Sequence, residues 1–444
     1  MGTNGHEWTR MDTNGHEWTR MDTNGHESRR NPGGIPAESR RNPGGKPAEN
    51  RRKTGGTAFA HPLRNPMNFL FLNQFAPPDP APTARLSGEV AEALLARGHE
   101  ITFVSDGANY RGGKTLLGSR ALREALSLTR LFIRTLFAKR TDAIICLTSP
   151  PLIPVVAGWA RLRHRRAKLI HWAMDLYPEV AVAVGEVRAG SLLHRITSAL
   201  MTNFYRRCDD IVVLDGAMQE RIAVHGAEST VLPPWPPAPL LTERKLIPNP
   251  RSEAAISKSP FVWLYSGNLG RAHEWKTLLD AQVLLEAAKL PIDLIFQGGG
   301  TETAKARQYA EDLGLTRCRW HPYAGEKELL PTLLAADCLL VTQRPETSGC
   351  LWPSKLALVR LLERPIVWVG ETEGGIAQDL QTDGHLSFSP GESVALAEAI
   401  KLLLSQKPDR PRPDPTRIWK RIESERSRAI TALADHFESI ANSP

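Results

Sequence analysis

The chain has 444 residues, 41% of them hydrophobic and 23% charged, long enough for two domains with real cores, which excludes disorder of the whole. A formal net charge of +8 and a sequence pI near 9.3 favour an anionic partner, whether nucleic acid, membrane surface or phosphorylated substrate, without choosing among them. Cys146, Cys208, Cys318, Cys338 and Cys350 are odd in number, scattered and free of C-x-x-C spacing, so they read as buried cytosolic thiols and not as disulfides or a zinc site. No segment reaches the ~20 apolar residues of a membrane span, and the N-terminus lacks a signal-peptide core. A soluble or peripherally bound protein is expected.

Residues 1–10, 11–20 and 21–30 are near copies of one another, and 28–38 is echoed by 39–49. Rich in Gly, Asn, Arg and Pro, residues 1–66 cannot build a core and are expected to be a disordered extension, dispensable or the product of a misassigned start. The His-Glu pairs of the repeats are too short and polar to preorganise a metal shell, so no metal is expected there.

At Met67 the pattern changes. Residues 68–73 form a short apolar run, followed by a Pro-rich loop and an amphipathic helix over 83–97 that Gly98 ends. A strand over 101–105 follows directly, and further strands are predicted at 142–147, 168–172, 210–214 and 230–232 with helical patterns between them. Such alternation predicts a doubly wound α/β domain over 67–235. Residues 236–260 lose periodicity and read as a proline-rich linker. The pattern then restarts, with strands at 261–265, 292–296, 318–320, 338–342 and 366–369, and predicts a second domain of the same kind over 261–414. The last helical stretch, from about Pro415 to Ile440, could cross back onto the first domain.

In open parallel sheets ligands sit beyond the carboxyl ends of the strands. The loops there are therefore the candidates: Asn73 to Asp79, Thr148-Ser149-Pro150-Pro151 and Met174 to Glu179 in the first half; Ser266-Gly267-Asn268-Leu269-Gly270-Arg271, Gln297-Gly298-Gly299-Gly300 and residues 343–354 in the second. Gly267 and Gly270 would let backbone approach a ligand, with Arg271 and His273 meeting an anion such as a diphosphate; an ordinary strand–helix turn is the plainer reading. Gly298 to Gly300 precede a helix starting near Thr303, whose free amides suit an anion or a ribose hydroxyl. Pro353-Ser354-Lys355 open a helix expected to run to about Leu362, which places a hydroxyl and an ammonium at a positive helix end and favours phosphate. Asp175 and Glu179 could orient sugar hydroxyls or a nucleophile, or else make a loop hydrogen bond and cap a helix. His171, inside a strand, reads as a packed core histidine. No G-x-x-x-x-G-K-[ST] occurs, and no G-x-G-x-x-G follows a strand, so ATPase and dinucleotide-oxidoreductase readings lose ground.

From Met67 onward the chain resembles the retaining GT-B glycosyltransferases of the group-1, family-4 type, especially their colanic-acid and O-antigen branch with its fucosyl- and fucosaminyltransferase-like proteins. The resemblance rests on Phe71-Leu72-Asn73-Gln74 with Pro77-Pro78-Asp79, on Arg97-Gly98-His99-Glu100, on Trp172-Ala173-Met174-Asp175-Leu176-Tyr177-Pro178-Glu179, on Tyr265-Ser266-Gly267-Asn268-Leu269-Gly270-Arg271-Ala272-His273-Glu274 and on Pro353-Ser354-Lys355-Leu356. It implies two Rossmann-like domains facing a central cleft, and a sugar moved with retention from a nucleotide-sugar donor to a growing, lipid-linked surface polysaccharide. No tightly bound cofactor or metal is implied. Arg271 and Lys355, with Ser354, Gly267 and Asn268, would hold the diphosphate; Gly299 and Tyr323 would lie near ribose or base, and Glu346 near donor sugar or ribose. Asn73, Asp175 and Glu179 would face the acceptor, with Asp175 and Lys355 as the catalytic pair. Two departures stand out: Cys350 and Leu358 occupy the places of the superfamily's glutamate pair, and Pro80-Ala81-Pro82-Thr83 replaces a glycine pair in the first loop.

Residues 120–140 set Arg120, Arg123, Arg130 and Arg134 near one helical face with Leu122, Leu126, Phe132, Ile133 and Phe137 largely opposite, and residues 161–168 add a second basic cluster. Such a helix can lie on anionic lipid, which would place the protein on the inner face of the cytoplasmic membrane; an ordinary solvated helix is the plainer reading. A nucleotide-sugar epimerase of the same architecture and a non-catalytic, membrane-docked partner of a transferase are the rival functions. Nucleic-acid binding ranks below both, because the basic residues lack interleaved aromatics.

Overall fold

The computed structural model describes residues 65–107, 120–237, 260–407 and 413–444. The expected extension over 1–66, apart from its last two residues, and most of the 236–260 linker lie outside the described residues.

The first sheet is built from β1 (Asn68–Leu72), β2 (Glu100–Val104), β3 (Ala143–Cys146), β4 (Lys168–Trp172), β5 (Asp210–Val213) and β6 (Thr230–Val231). Its order is β2-β1-β3-β4-β5-β6, and every pairing is parallel. Strands such as Ala-Ile-Ile-Cys in β3 are apolar at every position because helices cover both faces. Those helices are α1 (Pro82–Ala96), α2 (Arg120–Phe137), α3 (Ile153–Ala160), α4 (Glu179–Ala183), α5 (Leu192–Tyr205) and α6 (Gly216–Val224). Pro82 opens α1 at a position whose amide has no helical partner. Gly98, at φ 87°, turns the chain out of that helix into β2.

The second sheet contains β7 (Phe261–Asn268), β8 (Ile292–Gly299), β9 (Cys318–His321), β10 (Cys338–Thr342), β11 (Ile366–Val369) and β12 (Leu386–Phe388). It runs β12-β11-β10-β7-β8-β9, again with parallel pairings. Its helices are α7 (Lys276–Ala287), α8 (Thr303–Asp312), α9 (Glu326–Ala335), α10 (Leu356–Val359), α11 (Gly375–Thr382) and α12 (Ser393–Ser405). The two sheets give the pair of doubly wound α/β halves that the alternation predicts.

Three local expectations need correction. β7 and β8 run three residues further than their apolar cores suggest, because Ser266, Gly267 and Asn268 pair with Gln297, Gly298 and Gly299. Pro353-Ser354-Lys355 do not open a helix to Leu362; α10 is four residues long and Lys355 is its N-cap. In α2 the buried side is Ser127, Leu131 and Thr135, so Leu122, Leu126, Ile133 and Phe137 share the exposed side with Arg123, Arg130 and Arg134.

A 27-residue helix, α13 (Pro415–Ala441), joins the halves. At 1.5 Å per residue it spans about 40 Å. Near its start Ile418 and Ile422 enter the core of the second half; near its end Leu433, Ala434 and Phe437 enter the core of the first. There Phe437 packs edge-on to Phe71 and Trp172, and Trp172 stacks on Trp235. Arg97 and His99 both reach Glu438, at 2.9 and 3.0 Å, so the Arg-Gly-His-Glu segment serves as an anchor for this helix.

Candidate active site

Strand order reverses between β1 and β3 in one sheet and between β7 and β10 in the other, and a ligand crevice opens at such switch points. Beyond β7 and β10 lies a cleft of about 860 Å³ whose walls include Arg271, His273, Lys276, Lys305, Arg344 and Glu346, with Val184 and Gly185 from the first half opposite. The N-terminal turns of α7 and α8 border it through Trp275, Lys276 and Glu302, adding the partial positive charge of helix ends. Lys276 is paired with Asp280 at 2.7 Å, Lys305 with Glu302 at 3.1 Å and Arg344 with Glu346 at 3.4 Å. Arg271 has no ion-pair partner among the described residues and is exposed to the cleft.

His273 donates from Nδ1 to the Thr342 carbonyl at 2.8 Å. Burial first, and the nearby Lys355 charge second, lower its pKa to about 4. The ring is therefore neutral near pH 7, with Nε2 left as an acceptor.

Among the described residues, Lys355 is the one lysine whose ammonium is buried without a hydrogen-bond partner; the ammonium lies 3.5 Å from the centroid of the Tyr265 ring. Burial drives its pKa well below the usual lysine value. A Cβ on Gly267 would come within 3.4 Å of Lys355 Cε and Nζ, so that glycine leaves room for the lysine. The neighbouring glycines have a different cause. A Cβ on Gly298 would sit 2.1 Å from the Gly267 carbonyl oxygen, and one on Gly300 2.3 Å from that of Leu269. The run is thus required by backbone packing between two strand ends. Gly299 lies under the Tyr323 ring, 3.1 Å from a would-be Cβ, and Tyr323 donates to Asn268 Oδ1 at 3.3 Å.

The first half meets this region through Asp175. Its backbone forms an antiparallel bridge with Leu351, and the Leu176 amide donates to the Cys350 carbonyl at 2.7 Å. Gln343 shapes the facing loop by donating to the Thr347 and Leu351 carbonyls. Arg221 ties that loop to the first half through Ser348 at 2.9 Å. Desolvation lifts the Asp175 carboxyl to about 6, and the carboxyl makes no ion pair among the described residues. Glu179 opens α4 without capping it; it accepts from His225 Nε2 at 3.0 Å. Burial pushes the Glu179 carboxyl up, but His225, its own backbone amide and Arg221 hold it below the ordinary value.

The structure therefore gathers Arg271 and Glu346 in one cleft, groups Gly267 with Lys355 and Asn268 with Gly299 and Tyr323 along the same strand ends, and sets Asp175 and Glu179 on the facing half. Ser354 is exposed beside Lys355. Asn73 is buried, its amide nitrogen bonded to the Phe75 carbonyl and Thr83 hydroxyl, with Oδ1 unpartnered. Cys350 and Leu358, at the places of the missing glutamates, are both buried. His171 is a core residue, donating to the Cys146 carbonyl at 3.0 Å, with burial lowering its pKa to about 4. Sequence reasoning missed Lys276, Lys305 and Arg344; the five-residue spacing of Arg271 and Lys276 across a helix start was the available signal for the first.

Comparison with solved structures decides the architecture. Sucrose-phosphate synthase from Thermosynechococcus elongatus superposes with a TM-score of 0.61 at 14% identity, over 84% of this chain and 99% of that one. Anabaena HepE in complex with UDP and glucose gives 0.54 at 16% identity, over 83% and 99%. The fold is GT-B. The lipopolysaccharide outer core galactosyltransferase WaaB, in apo form, shares it, with a TM-score of 0.51 at 14% identity over 83% of this chain and 100% of that one. No protein-family profile matches the chain. In sequence, 156 residues are 28% identical to the putative colanic acid biosynthesis glycosyl transferase WcaI of Escherichia coli (strain K12), covering 35% of this chain and 36% of that protein. The chain thus matches about a third of that relative's length.

Proposed function

We propose that this GT-B protein is a glycosyltransferase that moves a hexose-type sugar, with retention of configuration, from a nucleoside-diphosphate donor to a lipid-linked acceptor of surface-polysaccharide synthesis at the inner face of the cytoplasmic membrane. The observation that carries the proposal is Lys355: a desolvated ammonium without an acceptor, packed behind Gly267 at the strand ends that border a cation-lined cleft. Such a charge lacks an anion, and a diphosphate supplies one. The partial match to WcaI, whose name carries colanic acid biosynthesis, supports the substrate class.

In this reading Arg271 and Lys355 bind the diphosphate and stabilise the charge that grows on it as the bond from sugar C1 to the donor phosphate oxygen breaks. The acceptor oxygen forms its bond to C1 on the same face, and its proton passes to the departing phosphate. Tyr323 and Gly299 border the nucleoside, Glu346 the donor sugar or ribose. Asp175 orients the acceptor hydroxyl, with Glu179 held beside it by His225 and Asn73 bracing the first loop. The reaction proceeds without a resident metal and survives a chelator.

Thermal-shift titration with UDP, GDP, CDP and dTDP tests the donor site. One selective diphosphate, ineffective with Lys355→Ala, supports the proposal and names the base; no response to any of the four sinks it. The anomeric proton coupling of product formed from the matching sugar nucleotide then decides retention.

A further inference from the structure

We infer that the outer surface of the adjoining helices α2, α3 and α5 is a docking face for an anionic lipid bilayer, with the first turns of α5 as its inserting edge. The inference specifies the membrane contact of the function proposed above, but it is read out without any sugar transfer.

Helix α3 packs between α2 and α5, so the three present one continuous outer surface. Large apolar side chains are exposed along it. Helix α2 contributes Leu122, Leu126, Ile133 and Phe137, the last 85% exposed; α3 and the residue two beyond it contribute Trp159 and Leu162; α5 contributes Leu192, at 74%, with Leu193, Ile196 and Leu200. On α2 the spacings of four, seven and four residues keep these side chains in one stripe, and on α5 the four fall within about a third of the circumference. In the second half the exposed apolar residues are fewer and make no stripe of this length: Leu284 on α7, Leu313 just past α8, Tyr323 after β9, and Val394 and Leu402 eight residues apart on α12. A folded protein leaves such stripes in water only where something covers them.

Charge decides what covers them. Segments 122–140, 153–168 and 188–207 carry one acidic residue, Glu124, against fourteen lysines and arginines. Arg123 and Arg130 flank the α2 stripe, and Arg163, Arg165 and Arg166 lie exposed just beyond α3. A shallow groove of about 510 Å³ along the side of α5 is lined by His194, Arg195, Asn203 and Arg206, polar groups suited to lipid phosphates beside the leucines. Apolar stripes bordered by arginine, almost free of carboxylates, match an anionic interface and not a protein surface of mixed charge. The placement also serves the cleft. Leu192 follows the cleft-lining Gly185 by seven residues, which limits their separation to about 25 Å, so a lipid-borne acceptor at this edge would lie within reach.

The test is vesicle co-sedimentation of the full chain, using phosphatidylcholine vesicles with and without phosphatidylglycerol. Leu192→Ser/Leu193→Ser/Ile196→Ser and Arg163→Glu/Arg166→Glu are compared with wild type, and thermal denaturation of each variant reports folding. Binding that requires phosphatidylglycerol and weakens about tenfold or more in both variants is expected. Unchanged binding by the leucine variant overturns the inserting edge. Equal binding to neutral vesicles, or none to either, overturns the docking face while leaving nucleoside-diphosphate binding to be judged separately. Self-association in light scattering that the leucine substitutions abolish, without vesicle binding, assigns the face to a second copy and also overturns it.

Discussion

The Lys355 ammonium lies 3.5 Å from the centre of the Tyr265 ring with no hydrogen-bond acceptor in reach, so a π face alone meets its charge. Replacing it with methionine keeps the volume and removes the desolvation penalty. Lys355→Met is expected to leave the melting temperature unchanged or raise it, while weakening nucleoside-diphosphate binding by about 1.5–3 kcal/mol, roughly ten- to hundredfold. The sign of the pH dependence follows. The folded pKa lies below the ordinary 10.5, so the unfolded chain binds more protons between the two values and stability rises with pH across that window. Wild-type protein should gain on Lys355→Met there, and diphosphate binding in the same window should take up a proton, seen as a buffer-dependent calorimetric enthalpy.

Asp175 makes the opposite case. Its carboxyl is raised from 3.8 to about 6 by desolvation, so the folded state binds the extra proton and stability falls as pH rises through that interval. Asp175→Asn should be more stable than wild type at pH 7, with the gap closing below pH 4 in urea unfolding. If the ionised carboxylate orients the acceptor, the substitution lowers kcat by roughly a hundredfold with donor binding intact, and wild-type activity falls below an apparent pKa near 6. A flat acid limb would remove Asp175 from the reaction.

What the sequence made legible follows from what its patterns encode. Buried parallel strands such as 168–172, 338–342 and 366–369 are short apolar runs between helical periods, and they fall where expected. The glycines in the last residues of β7 and β8 were visible as residues but not as strand, because Gly267 and Gly298 pair through backbone alone and leave no apolar signature. Strand β12, three half-buried residues at a sheet edge, was too short to show a period. At the site, Arg271 announced itself by lying in a turn after a strand. The burial of Lys355 could not be read, since it arises from Tyr265 and Gly267, about ninety residues away in sequence.

Gly298 allows that reading to be tested. A Cβ there would sit 2.1 Å from the Gly267 carbonyl oxygen, and its φ is 136°. Gly298→Ala therefore pushes apart the two strand ends that carry the Lys355 pocket, and a loss of about 3 kcal/mol or more is expected by denaturant unfolding. Gly314 also has a positive φ, 68°, but a Cβ there meets nothing within 4 Å. Gly314→Ala should cost only about 1 kcal/mol. Equal effects would mean that backbone conformation, and not the close approach of the strands, sets the requirement at Gly298.

Glu438 is one of the polar ties between α13 and the first half, beside Arg426 to Glu89 at 3.0 Å and His436 to Asp210 at 2.7 Å. It accepts from Arg97 at 2.9 Å and lies 3.0 Å from His99 Nε2, next to Phe437 in the core. Burial alone would raise its pKa, yet Arg97 and His99 hold it below 4.5. A depressed carboxylate adds stability above its unfolded value and loses it as pH falls through the folded one. Glu438→Gln removes the buried carboxylate shared by Arg97 and His99, leaving Arg97 only the exposed Asp435 at 2.7 Å, and should cost about 1–3 kcal/mol at pH 7. That difference should shrink on acidification below pH 4.5, because the wild type then loses the same charge. The same substitution should increase hydrogen exchange in the last turns of α13 while sparing its first turns, which are held by Ile418 and Ile422 in the other core. Uniform protection loss along the helix would show instead that α13 is released as a single unit.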